Sequence, residues 1–251
     1  MKTKWIQYEH SAENPKHRIF CFPYAGGSAL FYAKWYKHIS SHVDVFPIQL
    51  PGRESRMKEK PIRDMNEALE RIIRHIEPLL TENYSFVGHS MGSIMAYEVA
   101  KRLAQKKCKM PERIYISGAL PPDLLGQSEK IHEMSDEDFC NRLMGYDNLQ
   151  PDMLEHEEFY KFFLPIIRAD FEMIETYRPM GYWKMPCDVT ILSGTEDPFV
   201  PIENLEQWDR YCEKKPDIVT FSGNHFFLKE HVEEVCGIIN ENMKGPNYVY
   251  K

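Results

Sequence analysis

Short runs of β-branched and aromatic residues recur along the chain, each bounded by Gly, Pro, Ser or Asn, and they predict strands at Arg18–Phe22, Val43–Ile48, Tyr84–Val87, Arg113–Ser117, Asp188–Leu192 and Asp217–Ser222. Between them apolar residues return every three or four positions, as at Leu69, Ile72, Ile73, Ile76 and Leu80. That period predicts helices over about Leu30–Ile39, Met65–Leu80, Ser93–Gln105 and Glu230–Asn242. Strand alternating with helix predicts an α/β fold with a mostly parallel central sheet and helices on both faces. A chain of 251 residues suits a single domain of this kind, spanning 1–251.

The alternation breaks between Pro121 and Trp183, where aromatic, Met and acidic residues dominate and no strand pattern stands out. We expect a helical insertion there. It holds 14 Asp or Glu against 5 Lys or Arg, so it carries most of the acidity, and the remaining chain, with 24 acids and 26 bases, is nearly neutral. No basic stripe of the kind that collects phosphates appears, which makes nucleic acid a poor partner. The opening residues MKTKWIQYEH lack the apolar core of a secretory signal, and no window is apolar enough for a membrane span, so a cytoplasmic protein without membrane attachment is expected. The six cysteines form no C-x-x-C pair, which fits reduced thiols. The last residues, from Gly245 to Lys251, read as a loose tail.

Candidate chemistry centres on Gly88-His89-Ser90-Met91-Gly92. This G-x-S-x-G follows a predicted strand and precedes a predicted helix, the setting in which a serine is presented on a sharp turn as a nucleophile. The glycines two positions to either side let the backbone pass without collision. In that arrangement an acid and then a base follow in sequence, each on a loop after a later strand. Asp197, directly after the strand at Asp188–Leu192, is the expected acid, with Glu196 its nearest rival. Two histidines lie downstream; His225 falls in the loop after the last strand, whereas His231 falls in the final helix, so His225 is the expected base. His89 is expected to support the turn. Backbone N–H groups of Met91 and Ala25 are the expected oxyanion donors, with Gly26 close behind Ala25, because the segment Phe22–Ser28 is a Gly-rich loop after the first strand. That loop lacks the Lys-Ser/Thr ending of a phosphate-binding loop. No His/Cys cluster has zinc spacing, and neither a metal nor an organic cofactor is expected.

These segments, Phe22-Pro23-Tyr24-Ala25-Gly26-Gly27-Ser28, Gly88–Gly92, Gly194-Thr195-Glu196-Asp197-Pro198 and Gly223-Asn224-His225-Phe226-Phe227-Leu228, together with Pro51-Gly52-Arg53-Glu54, resemble those of the type II thioesterases of nonribosomal peptide and polyketide synthesis, which have the α/β-hydrolase fold. The resemblance runs from about Arg18 to Asn240. It implies hydrolysis of misprimed or stalled acyl groups from the 4′-phosphopantetheine arm of carrier proteins, with 121–183 as a lid; a monomer is expected. Ser93 stands where many members carry Gly or Ala, which bears on the packing of the turn. Acidic carriers would be repelled by the lid and drawn to basic segments such as Arg53–Arg63 or Lys101–Arg113. Of the lid residues Met134, Phe139, Met144, Phe159, Phe162, Phe163, Phe171 and Met173, most are expected in the core rather than lining an acyl pocket. A small-ester carboxylesterase or lipase of the same fold shares every one of these catalytic residues, and a hydrolase-like binding protein without activity is the third reading.

Overall fold

Six strands form one wholly parallel sheet in the computed structural model, which describes residues 3–81, 83–124, 129–145, 151–179 and 181–243. They are β1 (His17–Phe22), β2 (Val43–Pro47), β3 (Asn83–His89), β4 (Arg113–Ser117), β5 (Asp188–Gly194) and β6 (Asp217–Phe221), in the spatial order β2-β1-β3-β4-β5-β6. All six predicted strands are present, with boundaries shifted by one or two residues. The order reverses between β1 and β3, and in a parallel sheet such a reversal opens a crevice at the carboxyl ends of the two strands.

Helices cover both faces, as a parallel sheet requires. On one side α1 (Met65–Ile76) and α2 (Met91–Gln105) press Leu69, Ile72, Ile94 and Met95 against Phe20, Phe22, Phe86 and Ile114. On the other, α5 (Val232–Met243) and the buried Trp35 meet Ile19, Cys21, Val87, Tyr115 and Leu192. Successive residues of β1 and β3 thus enter opposite layers, the period-two pattern of a strand buried on both sides. Helix α1 starts where Asp64 accepts the Glu67 N–H at 2.8 Å, a side-chain N-cap.

The predicted helix at Leu30–Ile39 is replaced by two short 3-10 turns, Ala29–Tyr32 and Trp35–Lys37. The spacing of Tyr32 and Trp35, both fully buried, is met as well by three residues per turn as by 3.6, and the aromatic residues here favour the α form only weakly. Among the described residues of 121–183 the regular elements are helical. Residues Asp136–Met144 form α3 and Leu164–Thr176 form α4, with a wide π turn at Phe159–Phe163 before it. Phe139, Leu143, Phe159 and Leu164 make a small separate core, flanked by Met134, Met144 and Phe171, while Met173 joins the main core. Phe162 and Phe163 depart from that pattern, at 39% and 48% exposed. The six cysteines are free thiols, and among the described residues no helix is long and apolar enough to cross a membrane. The expected tail at Gly245–Lys251 lies outside the described residues.

In the two basic segments expected to draw an acidic carrier, Lys58, Lys60, Arg63, Lys106, Lys107 and Lys109 are exposed. Arg53, Arg56 and Lys101 are buried; Lys106 is paired with Glu77, and Arg113 with Asp188 and Asp217.

Candidate active site

The carboxyl ends of β1, β3, β5 and β6 carry the expected residues. Ser90 caps the strand-to-helix turn between β3 and α2 with φ +53° and ψ −120°, a conformation costly for any residue with a side chain. The surroundings impose it. The Ser90 N–H donates to Ser117 O at 2.8 Å. A Cβ on Gly88 would lie 2.2 Å from Gly92 O, and one on Gly92 would lie 2.2 Å from Phe22 O, so both positions must be glycine for β1, β3 and α2 to approach. Ser90 is half-buried at the start of α2, whose first N–H groups have no partner within the helix. Met91, immediately after it, contributes one of these.

Asp197 and His225 lie side by side. His225 Nδ1 lies 2.7 Å from Asp197 Oδ2, and Asp197 Oδ1 accepts the N–H groups of Phe199 at 2.9 Å and Val200 at 3.2 Å. Both side chains are buried, whereas Glu196 is exposed. The two loops are tied to each other: Glu196 N–H donates to Gly223 O, Thr195 N–H donates to Phe221 O, and Gly194 sits so close to Asn224 that a Cβ would be 2.4 Å from its carbonyl oxygen. His231 is engaged elsewhere, with Glu234 and Ser222, and the hydrogen bond to Glu234 raises its pKa.

His89 is fully buried. Its Nδ1 is 3.0 Å from Ser117 Oγ, and its ring packs at 5.2 Å from that of His225 and 5.9 Å from that of Tyr24. Burial, then the neighbouring His225, push its pKa well below the ordinary value, so it stays neutral and supports the turn. Gly118 links the two halves of the site: a Cβ there would stand 2.7 Å from His89 Cε1 and 3.5 Å from His225 Cε1. It directly follows Ser117, which holds the Ser90 N–H, so the imidazole and the serine turn share one strand end.

In the loop after β1, Gly27 N–H donates to Tyr24 O at 2.8 Å and Gly26 has φ +77°, the value required at the third position of a type II turn. The Gly26 N–H is taken by Asp170 Oδ2 at 2.7 Å, whereas the Ala25 N–H has no acceptor among the described residues. Of the two expected donors in this loop, Ala25 is therefore the one available to a ligand. Neither Asp170 nor the buried Arg53 that binds it was singled out from the sequence as part of the site.

Ser93 resolves the packing question its position raised. Its Oγ lies 2.8 and 2.9 Å from the carbonyl oxygens of Gly88 and Ser117, which share its single proton, and accepts the Ser117 N–H at 2.9 Å, pinning β4 to the turn. Ser93→Ala removes the hydroxyl's hydrogen bonds to these buried groups, although Ser117 O keeps the Ser90 N–H, and is expected to destabilise the fold by about 1–3 kcal/mol. Thermal denaturation unchanged from the parent would contradict that.

The parallel sheet, its strand order and the crevice at the reversal define the class: an α/β-hydrolase-type protein. Within that class residues 17–243 match the thioesterase domain family, and the chain belongs to it. It is a hydrolase of the thioesterase type, similar to those of nonribosomal peptide and polyketide pathways. The chain is 31% identical over 242 residues to the gramicidin S biosynthesis protein GrsT of Aneurinibacillus migulanus, covering 96% of this chain and 94% of that one. It is similar to the type II thioesterase BorB of the borrelidin biosynthetic cluster, with a TM-score of 0.85 at 29% identity, over 97% of this chain and 98% of that one. The RedJ thioesterase of the prodiginine pathway in Streptomyces coelicolor gives a TM-score of 0.85 at 30% identity, over 93% of this chain and 90% of that one.

Proposed function

We propose that Ser90 is the nucleophile, His225 the base and Asp197 the acid of a thioesterase that removes acyl groups from the phosphopantetheine arms of carrier proteins. The observation that carries this reading is the 2.7 Å contact of His225 Nδ1 with a buried carboxylate whose other oxygen is fixed by two backbone N–H groups. Asp197 holds Nδ1 protonated and leaves Nε2 as the basic nitrogen. His225 takes the Ser90 Oγ proton as oxygen attacks the thioester carbonyl, and the N–H groups of Met91 and Ala25 receive the oxyanion. The C–S bond breaks, and the imidazolium returns its proton to the departing thiolate. Water, deprotonated by His225, then attacks the acyl-serine; the free acid leaves and Ser90 regains its hydrogen. The insertion at about 121–183 serves as the lid of a single domain, the chain acts as a monomer, and its six free thiols suit the cytoplasm.

Thioester rather than oxygen-ester specificity is tested with one acyl group presented on a carrier-protein arm and as a simple alkyl ester. The expected kcat/KM is at least about tenfold higher on the carrier thioester, a difference of about 1.4 kcal/mol in transition-state binding. Equal or faster turnover of the oxygen ester would make the protein a carboxylesterase.

A further inference from the structure

We propose that Asp170, held by Arg53, is a positioning residue that sets the oxyanion donor at Ala25. This rests on the catalytic reading above and extends it to two residues that touch neither substrate nor nucleophile.

Asp170 lies on α4 and is completely buried, and Arg53 follows the turn at Pro51-Gly52 and is 5% exposed. Their pairing is two-pronged, with Arg53 Nη1 to Asp170 Oδ2 at 2.7 Å and Nη2 to Oδ1 at 2.8 Å. Both partners also reach the loop after β1. Asp170 Oδ2 accepts the Gly26 N–H at 2.7 Å, and Arg53 Nη1 donates to Gly27 O at 2.9 Å. Ile167, one helical turn before Asp170, closes on Gly26 so tightly that a Cβ there would lie 2.8 Å from its Cγ1.

The Gly26 N–H belongs to the central peptide of the Tyr24–Gly27 turn, and the direction of that peptide separates a type II turn from a type I turn. With Asp170 beneath it, the observed direction places an N–H on a carboxylate. The flipped peptide would place the Ala25 carbonyl against the same buried negative charge and strand the Gly26 N–H. Asp170 therefore selects one turn conformer by charge, and Arg53 keeps that charge from being an unpaired buried ion. The Ala25 N–H, one peptide earlier, inherits its direction from the fixed turn. An oxyanion donor must be placed to within about 0.5 Å to act, which a relaxed Gly-Gly loop would not hold. On this account α4 belongs to the fixed machinery of the site, so any opening of the lid occurs in other parts of 121–183.

Two variants test this, Asp170→Asn, which keeps the shape but sets an amide against the guanidinium, and the milder Arg53→Lys, which keeps the charge but loses the two-pronged grip. In Asp170→Asn, kcat is expected to fall towards the roughly 10²-fold of a lost oxyanion donor, with KM within about threefold of the parent. Affinity for a trifluoromethyl ketone analogue of the acyl thioester, which binds as a tetrahedral oxyanion, is expected to fall in parallel with kcat/KM. Arg53→Lys is expected to fall between parent and Asp170→Asn, and it decides the matter alone if Asp170→Asn does not fold. The inference is overturned if a folded variant keeps kcat within about twofold, or if its loss lies only in KM or in thermal stability, as for an anchor of the lid. Ser90→Ala in the parent separates the two levels. Turnover surviving there removes the catalytic reading, whereas an inactive Ser90→Ala beside a fully active Asp170→Asn removes only the role of Asp170.

Discussion

Ser90→Ala is expected to lower kcat by roughly 10⁴- to 10⁶-fold, the range found when a serine triad loses its nucleophile. The fold should not change. The turn's unusual φ of +53° is imposed by the Ser90 N–H bond to Ser117 O and by the close approach of Gly88 and Gly92, none of which involves the hydroxyl. Alanine occupies the same backbone conformation at the same cost as serine, so the variant should melt with the parent and still bind acyl thioester. Single-turnover release of thiol from the acyl substrate measures the loss. Release at a parental rate from a clean preparation would take Ser90 out of the mechanism.

Asp197→Asn is expected to lower kcat by about 10⁴-fold, and its cause is one of direction rather than charge alone. Oδ1 of Asp197 accepts the N–H groups of Phe199 and Val200, and an asparagine must keep its carbonyl oxygen there to satisfy them. Its amide NH₂ then faces His225 Nδ1 where the carboxylate Oδ2 stood 2.7 Å away. Two N–H donors cannot meet, so the imidazole is forced to carry its proton on Nε2, the nitrogen that must accept the proton of Ser90. Steady-state kcat near neutral pH shows the loss directly. A fall of less than about tenfold would mean that another group orients the imidazole.

The sheet was legible in the chain because each strand is a short β-branched or aromatic run with a turn signal at both ends, and because a strand buried on two faces needs no polar alternation. The helix at Leu30–Ile39 was misread because three- and four-residue spacings are shared by α and 3-10 turns, and only packing of Tyr32 and Trp35 chose between them. The segment Ile202–Tyr211, a series of 3-10 turns over buried Leu205, Trp208 and Tyr211, was passed over for the same reason. Of the proposed site, Ser90, Asp197 and His225 stand out in the sequence because strand-end loops in a known order limit where an acid and a base can stand. Arg53 and Asp170 do not. They lie 117 positions apart, Arg53 in the Pro51-Gly52-Arg53-Glu54 turn and Asp170 in the acidic insertion, and nothing in either segment points to the other. A buried ion pair leaves no local pattern, since each partner is explained only by the other.

Titration with an alkyl fluorophosphonate, followed by peptide mass mapping, tests the nucleophile most directly. One equivalent of phosphonate on Ser90, with thioester turnover falling in proportion to the labelled fraction, is the predicted result. Label on any other residue, or turnover that survives complete modification of Ser90, would contradict it.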